Sequence, residues 1–182
     1  MTNNGLALVG GGTLANAIHD LYTGHLKIFS HKQFDIGSQS QCDSLVKELA
    51  SYDSVIITAG LMGSDHWGTW MTNTVGPCYL VGKLNEQAKN QHIVVVSSYG
   101  ARWASWPDIS MDRLHYNMSK RAISDFVHGL IQRGSNNHLT VVEPSKFNSP
   151  MSNNHGASAE DMSQQIIGVL NNNMHVITLV LK

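Results

Sequence analysis

Leu6-Ala7-Leu8-Val9-Gly10-Gly11-Gly12-Thr13-Leu14-Ala15 decides how the chain folds. Four unbroken apolar residues make a buried strand, three glycines make a turn, and Leu14, Ala17, Ile18 and Leu21 then recur at helical spacing. Gly10, Gly12 and Ala15 satisfy G-x-G-x-x-[G/A] directly after a strand and at the opening of a helix, the context that gives the pattern meaning. Gly10 permits the tight turn, and Gly12 lets the backbone approach a pyrophosphate. The helix N-terminus offers unpaired N–H groups to the anion. Thr13 and Leu14 open that helix and fall within the same cradle. A strand-to-helix turn alone needs glycine but not three in succession, so the stretch is read as a nucleotide site.

The rest of the chain repeats the alternation. Strands are expected at 26–29, 54–58, 93–96, 139–142 and 176–181, with a short extended piece at Gln33-Phe34-Asp35-Ile36. Helical periodicity covers 42–52, 69–90, 114–133 and 159–171. Continuously apolar strands between helices imply a parallel sheet covered on both faces, so the fold class is α/β, a Rossmann-type doubly wound sheet in three layers. Asn136-Asn137 and Asn171-Asn172-Asn173 sit at helix ends and read as turn chemistry. With no internal repeat and no linker, residues 1–182 are expected to form one nucleotide-binding domain.

Composition narrows the function classes. The chain of 182 residues is 42% hydrophobic and 14% charged, with a formal net charge of −1. That balance supplies neither a basic stripe for nucleic acid nor a polybasic membrane anchor, and no 18-residue apolar stretch occurs. Neither nucleic acid nor membrane is therefore expected as a partner, and the cytoplasm is the expected location. Cys42 and Cys78 are isolated and are expected to be reduced thiols. Ten histidines show no H-E-x-x-H or Cys/His ligand spacing, so no metal site is expected.

Tyr116-Asn117-Met118-Ser119-Lys120 lies within a helical segment, and its four-residue spacing puts phenol and ammonium on one helix face. A Tyr hydroxyl titrates near pH ~10, and a neighbouring Lys cation is expected to lower that value. By itself such a pair is usually a half-buried aromatic beside a solvated charge. At the end of the second strand, Phe29-Ser30-His31-Lys32 holds no carboxylate to take a ribose 2′-hydroxyl. Ser30 can donate to a 2′-phosphate and His31 or Lys32 can offset its charge, so NADP(H) is favoured over NAD(H).

Taken in order, these features resemble the short-chain dehydrogenases/reductases. Asp35-Ile36 resembles the family's acidic-hydrophobic pair at adenine, and Thr58-Ala59-Gly60 the end of its Asn-Asn-Ala-Gly motif. Asn73-Thr74-Val75-Gly76 is similar to the Asn-x-x-Gly helix motif, Ile93 to Ser98 to a strand ending in Ser-Ser, and Glu143-Pro144-Ser145 with Ser149-Pro150-Met151 to Pro-Gly followed by Thr-x-Met. The resemblance spans nearly the whole chain. It implies that Ser98 hydrogen-bonds a substrate carbonyl, that Tyr116 donates the proton, that Lys120 holds the nicotinamide ribose and lowers the Tyr116 pKa, and that Asn73 supports a proton-relay water. It also implies a cofactor set of Gly10, Gly12, Thr13, Leu14, Ser30, His31, Asp35, Ile36, Ala59, Gly60, Lys120, Pro144 and Ser149. Ser97 competes with Ser98, because alternation along a strand points only one of the two at the cofactor.

Departures from the family pattern shape the expectations that remain. Ser145 replaces the usual glycine after Pro144, the segment after the second strand is too short for the usual helix, and only a few residues separate Met151 from the last helix. The substrate site should therefore be open, or completed by another subunit. Met62, Trp67, Trp70, Trp103 and Trp106 are candidates to line it for an apolar or aromatic substrate, with core or subunit contacts as the other reading. A small-molecule carbonyl or alcohol is the expected substrate, and the resemblance implies a homodimer or homotetramer through helices 69–90 and 114–133. A nucleotide-sensing or scaffold protein is the alternative. A sugar-nucleotide epimerase, which also uses Y-x-x-x-K, needs a large C-terminal substrate domain for which this chain has no room.

Overall fold

Leu6 and Leu8 pack on one side of the first strand and Ala7 and Val9 on the other, the period-two division of a strand buried on both faces. Ile56 is likewise opposed to Val55 and Ile57, and Val94 and Val96 to Ile93 and Val95. The computed structural model describes residues 5–88, 90–103, 109–171 and 178–181, with no side-chain detail for Trp103 or 178–181.

Among the described residues six strands form one parallel sheet: β1 (Leu6–Val9), β2 (Leu26–Phe29), β3 (Ser54–Ile57), β4 (His92–Val96), β5 (His138–Pro144) and β6 (Thr178–Leu181). Their order is β2-β1-β3-β4-β5-β6. The helices are α1 (Thr13–Leu21), α2 (Gln39–Leu49), α3 (His66–Trp70), α4 (Gly76–Gln87), α5 (Met111–Gln132) and α6 (Ala159–Asn171). Leu14 and Ile18 of α1 join Met162, Ile166 and Val169 of α6 over one face. Residues of α2, α4 and α5, among them Leu45, Leu80, Leu84, Ile123 and Val127, cover the other. These are the three layers expected of a doubly wound sheet. From β1 the chain winds outward to β2 and then back across to β3, so the carboxyl ends of β1 and β3 flank the point where strand order reverses, the place where such sheets bind ligands.

Local chemistry moved several boundaries. The extended piece expected at Gln33-Phe34-Asp35-Ile36 is a turn: the N–H groups of Gln33 and Phe34 both donate to the Ser30 carbonyl, and Asp35 Oδ1 accepts from Gly37 N at 2.9 Å. The helix expected at 42–52 begins earlier, at Gln39, because its first turn is polar and carries no periodic signal. Helix α5 likewise starts at Met111, where the Ser110 side chain accepts from Arg113 N. The helix expected at 69–90 starts at His66, passes through a π-helical turn at Met71–Val75 and continues as α4 to Gln87. Asn172, Asn173, Val176 and Ile177 lie outside the described residues. Among the described residues no helix is long and apolar enough to cross a membrane.

Two glycines are required by contact. Gly10 has φ +139°, and a methyl group there would run into Thr58 Oγ1 at the end of β3. At Gly76 a Cβ would strike the Ile36 carbonyl, so glycine lets α4 close onto the segment that follows β2.

Candidate active site

A cavity of about 810 Å³ opens at the carboxyl ends of the central strands, within the ~300–1,000 Å³ usual for small-molecule sites. Gly12, Thr13 and Leu14 border it from the first turn, Ser98 from the end of β4, Tyr116, Asn117 and Lys120 from α5, and Pro144 and Ser149 from the segment after β5. Helix α1 begins at Gly12 with no side-chain cap and no acidic residue in its first turn. A Cβ at Gly12 would meet nothing within 4 Å, so the backbone there is unobstructed where Gly12, Thr13 and Leu14 border the cavity. Uncapped donors and unobstructed backbone suit a dinucleotide pyrophosphate.

Lys120 is 3% exposed, and its Nζ donates to the Ala59 carbonyl at 3.0 Å and the Val96 carbonyl at 2.9 Å. An ammonium has three N–H donors, so one is left for a ligand. Burial lowers the Lys120 pKa to about 8. Gly60 lies beside it, where a Cβ would come within 3.3 Å of Nζ.

Tyr116 corrects an expectation. Its pKa is raised by burial, while the Ser98 hydroxyl as a hydrogen-bond partner and the Arg113 charge draw it partway back. The helical spacing brings the two residues to one cavity, but the ammonium turns to strand-end carbonyls instead of the phenol.

The neighbouring serines divide as strand alternation requires. Ser97 is 3% exposed, donates to the Lys120 carbonyl at 2.9 Å and accepts from Ser124 at 2.7 Å, which ties β4 to α5. Ser98 accepts from Gly100 N at 3.1 Å and turns toward Tyr116. Asn73 sits in the π-helical turn and is fully engaged: Oδ1 accepts from Leu61 N at 2.7 Å, and Nδ2 donates to Leu61 O at 2.8 Å and Ser119 Oγ at 2.9 Å. It clamps the loop after β3 against α5, and π turns often mark functional positions.

The remaining expected cofactor residues frame the cavity instead of lining it. Gly10 shapes the turn, and Ala59 contributes the carbonyl that holds Lys120. Ser30 and His31 flank the glycine turn, where a Cβ on Gly11 would lie 3.1 Å from Ser30 Cβ. Asp35 is committed to its own turn. Ile36 is 9% exposed and packs in the core.

Among the aromatic candidates, Met62 borders the cavity, but Trp67 is 77% exposed and Trp70 donates to His115 Nδ1 at 3.0 Å, so neither tryptophan lines it. Trp106 and the Trp103 side chain lie outside the described residues. The His115 ring stacks on His66 at 4.0 Å, and His66 Nε2 pairs with Asp112 Oδ1 at 2.8 Å, bracing α3 against the start of α5. Arg113, Asn117 and Lys146 border the cavity without having been singled out in the sequence. Arg113 was legible, three residues before Tyr116 on one helix face; Asn117 shows no sequence signal, because only packing reveals its burial. Among the described residues no cluster of three His, Cys, Asp or Glu could hold a metal ion.

No family model and no curated protein matches the chain. Solved structures do. The 3-alpha-hydroxysteroid dehydrogenase of a Pseudomonas species, complexed with NADH, superposes with a TM-score of 0.77 at 17% identity, over 98% of this chain and 93% of its own. A short chain dehydrogenase of Burkholderia cenocepacia in complex with NADP gives 0.76 at 15% identity, over 100% and 90%. A short-chain dehydrogenase/reductase of Brucella melitensis, described as a glucose/ribitol dehydrogenase, gives 0.79 at 15% identity, over 100% and 96%. At such identities the likeness speaks for the backbone, and this chain has the fold of the short-chain dehydrogenases/reductases.

Proposed function

We propose that the chain is an NADP-preferring oxidoreductase that moves a hydride between a nicotinamide cofactor and a carbonyl or alcohol. The observation that carries this reading is one cavity bordered by the open glycine turn, by Ser98, and by Tyr116 and Lys120. The residues present fit a dinucleotide: an uncapped helix N-terminus for the pyrophosphate and one uncommitted Lys120 N–H for a ribose hydroxyl. When bound, the nicotinamide supplies or accepts the hydride. Ser98 holds the carbonyl oxygen, and Tyr116 delivers its proton to that oxygen. Burial keeps the phenol protonated at neutral pH, which suits it as the donor in reduction. Ser30 and His31 beside the glycine turn, with no carboxylate at that strand end, favour a 2′-phosphate and hence NADP(H) over NAD(H).

Cytoplasmic location and pairing through α4 and α5 belong to the same reading. The test is NADPH binding by fluorescence, followed by turnover over aldehydes, ketones and quinones. Absence of both binding and turnover would defeat the proposal. A nucleotide-sensing protein on this fold would bind NADPH and transfer hydride equally slowly as wild type and as Tyr116→Phe.

A further inference from the structure

Three consecutive residues at the carboxyl end of β4 each address the Tyr116–Lys120 turn of α5. The Val96 carbonyl accepts from the Lys120 ammonium at 2.9 Å, the Ser97 hydroxyl donates to the Lys120 carbonyl at 2.9 Å, and the Ser98 hydroxyl partners Tyr116. The outer two act on groups already placed in the reaction. Ser97 acts on the helix backbone between them. A serine has one proton to give, and that of Ser97 is committed to the Lys120 carbonyl, so it cannot also hold a substrate oxygen as donor.

The residue is anchored from both sides. Its backbone N–H donates to the Val142 carbonyl at 2.8 Å, which fixes it in the sheet, and Ser124, one turn beyond Lys120, donates to its Oγ at 2.7 Å. Ser97 and Ser124 are 3% and 4% exposed. In the same core, β4 and α5 are otherwise represented by Ile93, Val95, Ile123 and Val127. Apolar packing has no preferred direction and tolerates a small slide of helix over sheet, whereas a satisfied buried polar network selects one register. Thr74 and Ser119 brace the same turn elsewhere, with Thr74 Oγ1 donating to the Ser119 carbonyl and Ser119 Oγ to the Tyr116 carbonyl, both at 2.8 Å. Those contacts tie α5 to the π turn and to itself. The side-chain tie from the sheet to the helix backbone at Lys120 runs through Ser97.

Resting on the hydride-transfer reading above, we infer that Ser97 is a positioning residue of the reaction, which sets the register of α5 on the end of β4 so that Tyr116 meets the oxygen held by Ser98 and Lys120 keeps its strand-end carbonyls. A misplacement of reacting groups by about 1 Å can cost ~10²-fold in rate. Ser97 touches neither substrate nor cofactor in this role.

Ser97→Ala and Ser124→Ala, compared in NADPH-dependent carbonyl reduction, test it. In Ser97→Ala the Ser124 hydroxyl still has the Lys120 carbonyl at 3.0 Å, so no buried hydroxyl is orphaned and the fold should survive. Its kcat should fall about tenfold to hundredfold, while KM and NADPH affinity stay within about threefold. Ser124→Ala removes a hydroxyl of equal burial but leaves the Ser97 tie, so its urea midpoint should drop similarly while kcat stays within about threefold. Ser97→Cys, nearly isosteric with a weak donor, should recover part of the loss and carries the same comparison if Ser97→Ala does not fold. A readout independent of turnover is the titration of the Lys120 side chain by NMR. Its midpoint, about 8 in the wild type, should rise toward 10.5 in Ser97→Ala as the ammonium leaves its buried seat, and should not move in Ser124→Ala. Equal kinetic losses in the two alanine variants, a loss of stability with kcat unchanged, or an unmoved Lys120 midpoint in Ser97→Ala overturns this inference while leaving hydride transfer standing. A wild type that neither binds NADPH nor turns over overturns the proposed function instead, whatever the midpoint does.

Discussion

Burial acts on Tyr116 and Lys120 in opposite directions, because in each it disfavours the charged form. The phenol is held above its usual range and the ammonium is lowered to about 8. Carbonyl reduction should therefore be fastest below about pH 8, where Tyr116 carries its proton and Lys120 its charge, and should fall as Lys120 deprotonates; a pH profile of kcat/KM for NADPH-dependent reduction checks this. Tyr116→Phe should cost ~10²–10⁴ in the hydride-transfer step, measured in a single turnover, with NADPH affinity nearly unchanged. Stability carries its own signature. Lys120 has a folded pKa of about 8 against 10.5 for the free group, so between those values the unfolded chain binds the extra proton. The penalty of burying the ammonium is complete below about pH 8 and is relieved as pH rises toward 10.5, so this residue makes stability increase with pH across that window. Urea midpoints of wild type and Lys120→Met at several pH values isolate the term, and a difference that does not vary with pH would contradict it.

Gly10 and Gly76 show how single residues set the approach of whole elements. Gly10→Ala forces a positive φ on a side chain and a clash with Thr58, and should destabilise by about 2–4 kcal/mol in urea titration while weakening NADPH binding. Gly76→Ala keeps good helical geometry but pushes α4 off the Ile36 carbonyl, with an expected loss of about 1–3 kcal/mol and a milder effect on the cofactor. At this scale the strands and the glycine turn were legible, since unbroken apolar runs have one reading when helices alternate with them. Helix starts were not: the polar first turn at Gln39 and the exposed one at Met111 add nothing to a buried apolar stripe, and the π turn at Met71–Val75 keeps the helix pattern while adding a residue to the turn. The extended piece at 33–36 failed for a similar reason. Phe34 and Ile36 alternate like a strand, yet Ser30 and Asp35 close hydrogen-bonded turns around them.

At the scale of the molecule, among the described residues the sheet ends at β2 and the longest helix, α5, runs beside α4. Phe126 of α5 is 37% exposed and touches the position of Gly82 on α4, and Val75 at the head of α4 is 49% exposed. If these helices pair two copies of the chain, light scattering should give at least twice the 19.9 kDa of one chain, and Phe126→Glu should shift the population toward monomer. The sequence by itself determined the alternation of strand and helix, the glycine turn, and the order of Ser98, Tyr116 and Lys120 along the chain, because periodicity and local turn chemistry are properties of neighbouring residues. Only the tertiary structure decided that the Lys120 ammonium faces the Ala59 and Val96 carbonyls, that Ser97 is tied to α5 while Ser98 turns toward Tyr116, and that Arg113 and Asn117 border the same cavity. Desolvation and hydrogen-bond competition act between residues far apart in the chain, and their outcome exists only once packing has fixed which polar groups are left to meet each other.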